Sequence, residues 1–86
     1  MLSIHNIMFI YLNKGGRKML KNRVKELRAR HNFTQSDLGK LVGVTRQTIA
    51  FIEKGEFSPS ITLALKISKE LKEPIEKIFW LEEDEK

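Results

Sequence analysis

The chain of 86 residues has no cysteine and only two histidines, His5 and His31. Without cysteine, neither a disulfide framework nor a zinc site built from thiolates can form. The two histidines are far apart in the sequence and lack the spacing of metal ligands. We therefore expect no metal and no cofactor, and the absence of disulfides suits a reducing cytoplasm.

Long apolar runs are also missing. No stretch approaches the roughly 20 apolar residues that a membrane-spanning helix requires. A chain this short holds one small domain with a compact core. No nucleophile–base pair, metal cluster or phosphate-binding loop can be assembled from the sequence, so we do not expect an enzyme.

Charge is distributed unevenly along the chain, whose net charge is +5. Basic residues crowd residues 14–30, where only Glu26 opposes them, and acidic residues crowd residues 82–85. A basic face on a small domain suits a polyanion such as DNA. A solvated, charged helix is the alternative, and charge alone does not decide between the two.

The spacing of apolar residues predicts short helices from about residue 20 onward, and no stretch alternates like a strand. The first helix has one apolar stripe, formed by Leu20, Val24 and Leu27. It should end near residues 31–32. The second helix begins at Thr34, where TQSD approaches a capping box, and Gly43 is placed to end it.

Three further helices follow with tight connections. Thr45 can cap the third helix, whose end is marked by Gly55. Ser60 can cap the fourth, and Pro74 suits the first position of a fifth, PIEKIFWL. The predicted fold is all-α, an orthogonal bundle of five short helices.

Only Gly43 and Val44 separate the second helix from the third. Because so short a link makes the two helices cross steeply, the pair is predicted to be a helix-turn-helix. The third helix can then project from the domain, with Thr45, Arg46, Gln47 and Thr48 in its first turn. These polar residues form either a solvated helix start or a surface that contacts a partner.

The segment FTQSDLGKLVGVTRQTIAFIEKGEFSPS resembles the DNA-binding domains of the Cro/cI (XRE) family, the lambda-repressor-like regulators. Five matching features carry the resemblance: Thr34-Gln35, Gly43-Val44, the polar residues Thr45 to Thr48, Ile52-Glu53-Lys54-Gly55 and Pro59-Ser60. The resemblance covers about residues 20–80. One departure is Gly39, where the family usually carries Ala. Both residues are small enough for a close approach of two helices, but Gly in a helix interior costs up to about 1 kcal/mol of stability relative to Ala.

The resemblance implies a transcriptional regulator that binds double-stranded DNA in a sequence-specific manner. Its third helix, about residues 45–54, would lie in the major groove while the second crosses the backbone. By position, the residues facing base edges would be Arg46, Gln47 and Phe51. Phosphate contacts would come from Gln35, Thr45, Thr48, Arg23 and Lys54. Family members also pair two residues that correspond to Arg28 and Glu53, which we expect to brace the third helix.

These positions also have simpler interpretations. Thr45 caps a helix whether or not DNA binds, and Arg46 on a bare surface would only be solvated. Phe51 falls off the apolar face of its helix and should be partly exposed. It is either a neighbour of the core or an apolar contact for a thymine methyl group.

A single domain of this size covers too little DNA for strong specificity, so we expect a homodimer on a palindromic operator. The fifth helix carries more apolar residues than one small helix needs to bury. Its candidates for the dimer seam are Ile75, Ile78, Phe79 and Trp80. The alternative is that this helix only closes the core.

The two ends of the chain fall outside the resemblance. Lys14-Gly15-Gly16 is what a ribosome-binding sequence would encode if translated. Our hypothesis is that Met19 is the biological start and residues 1–18 are translated leader; the alternative is a flexible arm. Residues 19–81 would then be the DNA-binding domain and residues 82–86 an acidic tail.

Three functions fit these features. The first is a small repressor of its own or a neighbouring operon. The second is an antitoxin that binds DNA and a toxin partner through the same domain. The third is a protein-interaction module that uses the fold without DNA. The basic first helix and the pair Arg46 and Gln47 argue against the third.

Overall fold

The computed structural model of the chain describes residues 18–83. The hypothesised leader, apart from Lys18, and the last three residues of the acidic tail lie outside the described residues. Within residues 18–83 the chain forms five helices and two short strands. In chain order these are β1 Lys18–Asn22, α1 Val24–Arg30, α2 Gln35–Val42, α3 Arg46–Glu53, α4 Ile61–Leu71, α5 Ile75–Ile78 and β2 Phe79–Glu83. This architecture confirms the predicted five-helix fold, with the helix-turn-helix formed by α2 and α3.

The two strands correct the sequence prediction, which expected none. β1 and β2 pair antiparallel, so that Lys21 lies opposite Trp80. Leu20 is therefore in a strand and not in the first helix, and the fifth helix ends at Ile78 instead of continuing to Leu81. A one-turn helix gains little from its own hydrogen bonds, whereas aromatic residues such as Phe79 and Trp80 favour strands. The local apolar spacing carries no signal for a pairing between the two ends of the domain.

The core is aliphatic and draws on all five helices. Its buried members are Val24, Leu27, Leu38, Val42, Ile49, Ile52, Leu63, Ile67, Leu71 and Ile78. Phe33, Val44 and Phe79 pack against it from the side. No polar or charged residue among those described is buried. Hydrophobic burial therefore holds the domain together, and polar bonds act at its edges.

Local capping fixes where the helices begin, as the sequence predicted. The Thr34 hydroxyl accepts a hydrogen bond from the Asp37 N–H at 2.9 Å, and the Asp37 carboxylate accepts one from the Thr34 N–H at 2.8 Å. This capping box holds the pKa of Asp37 below its ordinary value, chiefly through the bond from the Thr34 backbone. The hydroxyls of Thr45 and Ser60 cap α3 and α4 by accepting the N–H of Thr48 and Leu63, without a reciprocal bond from a carboxylate.

Gly39 sets how closely α2 approaches the start of α3. A Cβ placed on Gly39 would lie 2.7 Å from the backbone oxygen of Val44 and 3.2 Å from the carbonyl carbon of Thr45. The Gly39 carbonyl accepts the N–H groups of both Gly43 and Val44 at 2.8 Å. Gly43 has φ +83°, the left-handed conformation that ends a helix. The turn therefore packs directly onto α2 at the position where the family usually carries Ala.

We expect Gly39→Ala to lower the free energy of unfolding by about 1 kcal/mol. Overpacking against a backbone atom costs about 1–3 kcal/mol, which outweighs the gain of up to about 1 kcal/mol from helix propensity. Urea denaturation measures the difference. Lys40→Ala, at the exposed neighbouring position, is the control and should stay within about 0.5 kcal/mol of the parent. A gain in stability for Gly39→Ala would contradict the close approach.

Candidate nucleic-acid interface

The first turn of α3 presents side chains that are free to take a partner. Arg46 and Gln47 are exposed, and neither side chain makes a hydrogen bond or ion pair within the part of the chain that the structure describes. The hydroxyls of Thr45 and Thr48 lie 3.1 Å apart, so each already has one polar contact. Thr45 also accepts the Thr48 N–H at 3.2 Å. The Thr45 cap thus fixes the start of α3, while the side chains of Arg46 and Gln47 face solvent.

Phe51 extends the exposed face of α3 by one turn. Its side chain is 39% exposed, whereas Ile49 and Ile52 on either side of it in sequence are buried. Residues four apart lie on the same side of a helix, so Phe51 follows Gln47 along one face. This face is opposite the buried one. It offers the Gln47 amide and the Phe51 ring, and Arg46 is exposed to one side of it in the same first turn. Base edges and thymine methyl groups can contact this mixture of polar and apolar groups.

The carboxylate of Glu53, the last residue of α3, joins this helix to α1 and α2. Arg28 places Nε 2.7 Å from Oε2 of Glu53 and Nη2 3.2 Å from Oε1. The Gln35 amide donates to the same Oε1 at 3.0 Å. Arg28 Nη1 also donates to the Phe33 carbonyl at 3.0 Å. One residue from each of α1, α2 and α3 therefore meets at this carboxylate, and Arg28 is used inside the domain.

The other proposed phosphate contacts lie at helix ends. Gln35 is the first residue of α2, where the amide bond to Glu53 fixes the direction of its side chain. Lys54 is exposed at the C-cap of α3. Arg23 is exposed at the N-cap of α1, with its guanidinium over the ring of Trp80. Gln35 and the first turn of α3 therefore belong to the helix-turn-helix itself, whereas Arg23 lies beside the β1–β2 sheet.

Asn22 is a structural residue of this region that the sequence analysis missed. Its Nδ2 donates to the Ile52 carbonyl at 2.9 Å, and its Oδ1 accepts the Val24 N–H at 3.0 Å. It therefore joins the end of β1 to the start of α1 and the last turn of α3. An Asn whose side chain accepts the N–H two residues on forms an Asx turn, here just ahead of the helix whose N-cap is Arg23. The sequence prediction places Leu20 in the first helix and therefore does not reveal this turn.

The residues proposed for the dimer seam differ in exposure: Ile75 and Phe79 are half-buried and Trp80 is exposed. Ile78 is fully buried, so it cannot offer surface to a partner. Phe79 packs against the core, and Trp80 lies under Arg23. The exposed apolar residues on α4 are instead Ile61 and Leu65, at 71% and 54% exposure.

Two other features are absent from residues 18–83. No group of three or more acidic, histidine or cysteine side chains there is arranged to hold a metal ion. None of the helices in that range has the length and apolar character needed to cross a membrane.

Comparison with known proteins is consistent across sequence and structure. The profile of the family described as Helix-turn-helix matches residues 24–78. YgzD of Bacillus subtilis, an uncharacterized HTH-type transcriptional regulator, is 58% identical over 65 residues, which cover 76% of this chain and 98% of that protein. MJ0272 of Methanocaldococcus jannaschii, also described as an uncharacterized HTH-type transcriptional regulator, is 54% identical over 66 residues, covering 77% and 100%.

A solved structure supports the same fold. The restriction-modification controller protein C.AhdI from Aeromonas hydrophila superposes with a TM-score of 0.59 at 26% sequence identity. The superposition covers 63% of this chain and 82% of the controller protein.

Arg28→Ala should lower the free energy of unfolding by about 3 kcal/mol, because it leaves a nearly buried carboxylate without its cation. The side chain of Glu53 is only 6% exposed. The matched control is Arg30→Ala, which breaks the exposed pair with Glu26 and should cost less than about 0.5 kcal/mol. Chemical denaturation of both variants gives the comparison. Equal, small losses would show that the Glu53 pair does not brace the domain.

Proposed function

Because the chain belongs to the Cro/cI-type (XRE) helix-turn-helix family of transcriptional regulators, we propose that it reads a specific DNA sequence with α3. The observation that carries this proposal is the pair Arg46 and Gln47. Both side chains are exposed and have no partner among the described residues, on a helix that Glu53 holds in place. Such preorganised donors suit recognition of base edges in the major groove.

Each residue of the exposed face has a chemical counterpart in the groove. The guanidinium of Arg46 can pair with O6 and N7 of guanine, and the amide of Gln47 with N6 and N7 of adenine. Phe51, one turn beyond Gln47, suits a thymine methyl group. Each good polar pair discriminates between bases by about 1–3 kcal/mol. Two polar pairs and one apolar contact would let each protomer recognise a short base sequence in its half-site.

Phosphate contacts would supply much of the affinity. The candidates surround the helix-turn-helix at helix ends: Gln35, Thr45, Thr48, Arg23 and Lys54. Gln35 donates one amide hydrogen to Glu53, which leaves a second amide hydrogen for a phosphate oxygen. Each phosphate neutralised by a cation releases counterions, so binding should weaken steeply as salt rises.

We propose that the protein acts as a homodimeric repressor on a palindromic operator in the cytoplasm. One domain covers too few base pairs for strong specificity, and a two-fold dimer doubles the site. The seam we favour is the α4 face formed by Ile61 and Leu65, because these two apolar side chains lie four residues apart on one side of the helix and are both exposed. The likeness to a restriction-modification controller protein supports the regulatory role. No contact in the described residues favours the antitoxin or protein-interaction alternative.

Selection from random duplexes tests the reading surface. We expect Arg46→Ala to lose preference at one base position of each half-site by roughly 10–100-fold, and Gln47→Ala to lose it at a different position. Lys69→Ala removes an equal charge from the exposed face of α4 and should leave the preferred sequence unchanged. The proposal fails if both α3 variants select the parent sequence.

Sedimentation equilibrium tests the seam. Replacing both Ile61 and Leu65 by Glu should give a monomer that binds a half-site but has lost the tighter binding to the palindrome, because like charges then face each other across the two-fold axis. Leu81→Glu, at an exposed position of β2, is the control and should leave the dimer intact. If Leu81→Glu alone dissociated the dimer, the seam would lie at the β1–β2 sheet and not on α4. A monomeric parent protein would contradict the proposed dimer.

A further inference from the structure

The contact between Arg23 and Trp80 has no role in the core or in the helix-turn-helix. Trp80 is the only tryptophan of the chain, yet its side chain is 37% exposed. The Cζ atom of Arg23 lies 5.3 Å from the centre of its ring, within the range of a cation–π interaction. A large aromatic residue is thus kept at the surface with a cation on its face.

Both partners are fixed by backbone bonds. The Arg23 N–H donates to the Ile78 carbonyl at 3.0 Å, and Trp80 lies opposite Lys21 in the β1–β2 pair. The guanidinium lies over the ring. A guanidinium carries five N–H donors, and a cation–π contact does not use them in hydrogen bonds to an acceptor, so they stay available. Arg23 is exposed and forms no ion pair with any residue between 19 and 82.

The pair lies beside the carboxyl-terminal end of α3. Asn22, next to Arg23 in sequence, donates to the Ile52 carbonyl in the last turn of that helix. A shallow groove is lined by Arg23, Ala29, Glu53 and Trp80 together. A helix of eight residues is about 12 Å long, similar to the width of the major groove. With α3 in the groove, a cation beside the end of this helix would lie near the phosphates that border the groove.

We propose that Trp80 is a positioning residue of the DNA interface, which holds the guanidinium of Arg23 towards a backbone phosphate. The inference rests on the proposed function, since it requires α3 in the major groove. Stacking reduces the freedom that Arg23 must lose when it binds, and so makes the phosphate contact more favourable. Both residues lie just outside residues 24–78, so the contact is not part of the segment that the family profile matches.

The electrostatic surroundings of the pair are mixed. Lys21 and Lys25 add positive charge near Arg23, while Glu26 lies on the same groove and pairs with Arg30. Glu76 and Lys77 border Trp80 on its other side. The charges of these two neighbours offset each other. The orientation imposed by the ring, more than the local charge, therefore distinguishes Arg23 from the other cations of this surface.

A double-mutant cycle on duplex binding tests the proposal. The proteins are the full chain, Arg23→Ala, Trp80→Leu and the double variant, each titrated with the selected operator and with an unrelated duplex at several salt concentrations. Arg23→Ala should weaken binding to both duplexes by roughly three- to tenfold and reduce the salt slope by about 1. Trp80→Leu should weaken both by a smaller factor without changing the preferred sequence. The double variant should bind no more weakly than Arg23→Ala.

Two further variants separate positioning from stability. Trp80→Phe retains an aromatic face and should restore most of the affinity and salt slope that Trp80→Leu loses. Leu81→Ala, which truncates the exposed neighbour in the same strand, should leave both unchanged. Thermal unfolding of each protein shows that binding is measured on folded chains.

The outcomes distinguish this proposal from the one it rests on. Additive losses in the cycle, or no rescue by Trp80→Phe, would overturn the positioning role. The positioning role would also be overturned if Arg23→Ala and Trp80→Leu both bound DNA with the affinity of the parent protein. If Arg46→Ala still changed base preference in that case, the proposed reading surface on α3 would stand. If Arg46→Ala and Gln47→Ala leave base preference unchanged, the proposed function itself fails.

Discussion

The Glu53 carboxylate is the group on which the arrangement of the helix-turn-helix depends. It sits on the last residue of α3 and accepts hydrogen bonds from Arg28 of α1 and Gln35 of α2. A nearly buried carboxylate without its cation would be costly, so the three helices are stable only when they meet at this point. Gln47 and Phe51 lie on the exposed side of α3, and Arg46 lies in its first turn, about two turns before Glu53. Neither Arg46 nor Gln47 has such a partner in residues 18–83. In the proposed function, bracing and base reading would be carried out by different residues of the same helix.

A second constraint acts at the other end of α3. Gly39 lets the turn pack onto α2, and the Val44 N–H reaches the Gly39 carbonyl at 2.8 Å. The first turn of α3 is then held by Thr45 as its cap. Asn22 ties the last turn of α3 to the sheet and to α1. A helix of only two turns is thus fixed at both ends, which suits a surface that must meet DNA without reordering.

The sequence predicted the parts of the fold that depend on local signals. Caps at Thr34, Thr45 and Ser60 and the left-handed turn at Gly43 follow from neighbouring residues, and the helix-turn-helix follows from the length of one link. The sheet could not be predicted in this way, because its strands pair residues from opposite ends of the domain. The same cause hid the two hydrogen bonds by which Asn22 joins β1 to α1 and α3, and the burial of Ile78, because the environment of both residues depends on where the strands lie. Of the candidate site, the exposure of Phe51 followed from its position off the apolar face, whereas the stacking of Arg23 on Trp80 required the register of the sheet.

The central claim is that the first turn of α3, braced by Glu53, is the surface that meets the bases. Titration of the isotope-labelled chain with its selected duplex, followed by the backbone amide shifts in NMR spectra, tests it directly. The account predicts the largest shifts at Thr45–Thr48, with smaller ones at the start of α2 and at Lys54, and little change on the exposed face of α4. Large shifts confined to α4 or to β2, with the amides of residues 45–48 unmoved by saturating duplex, would contradict it.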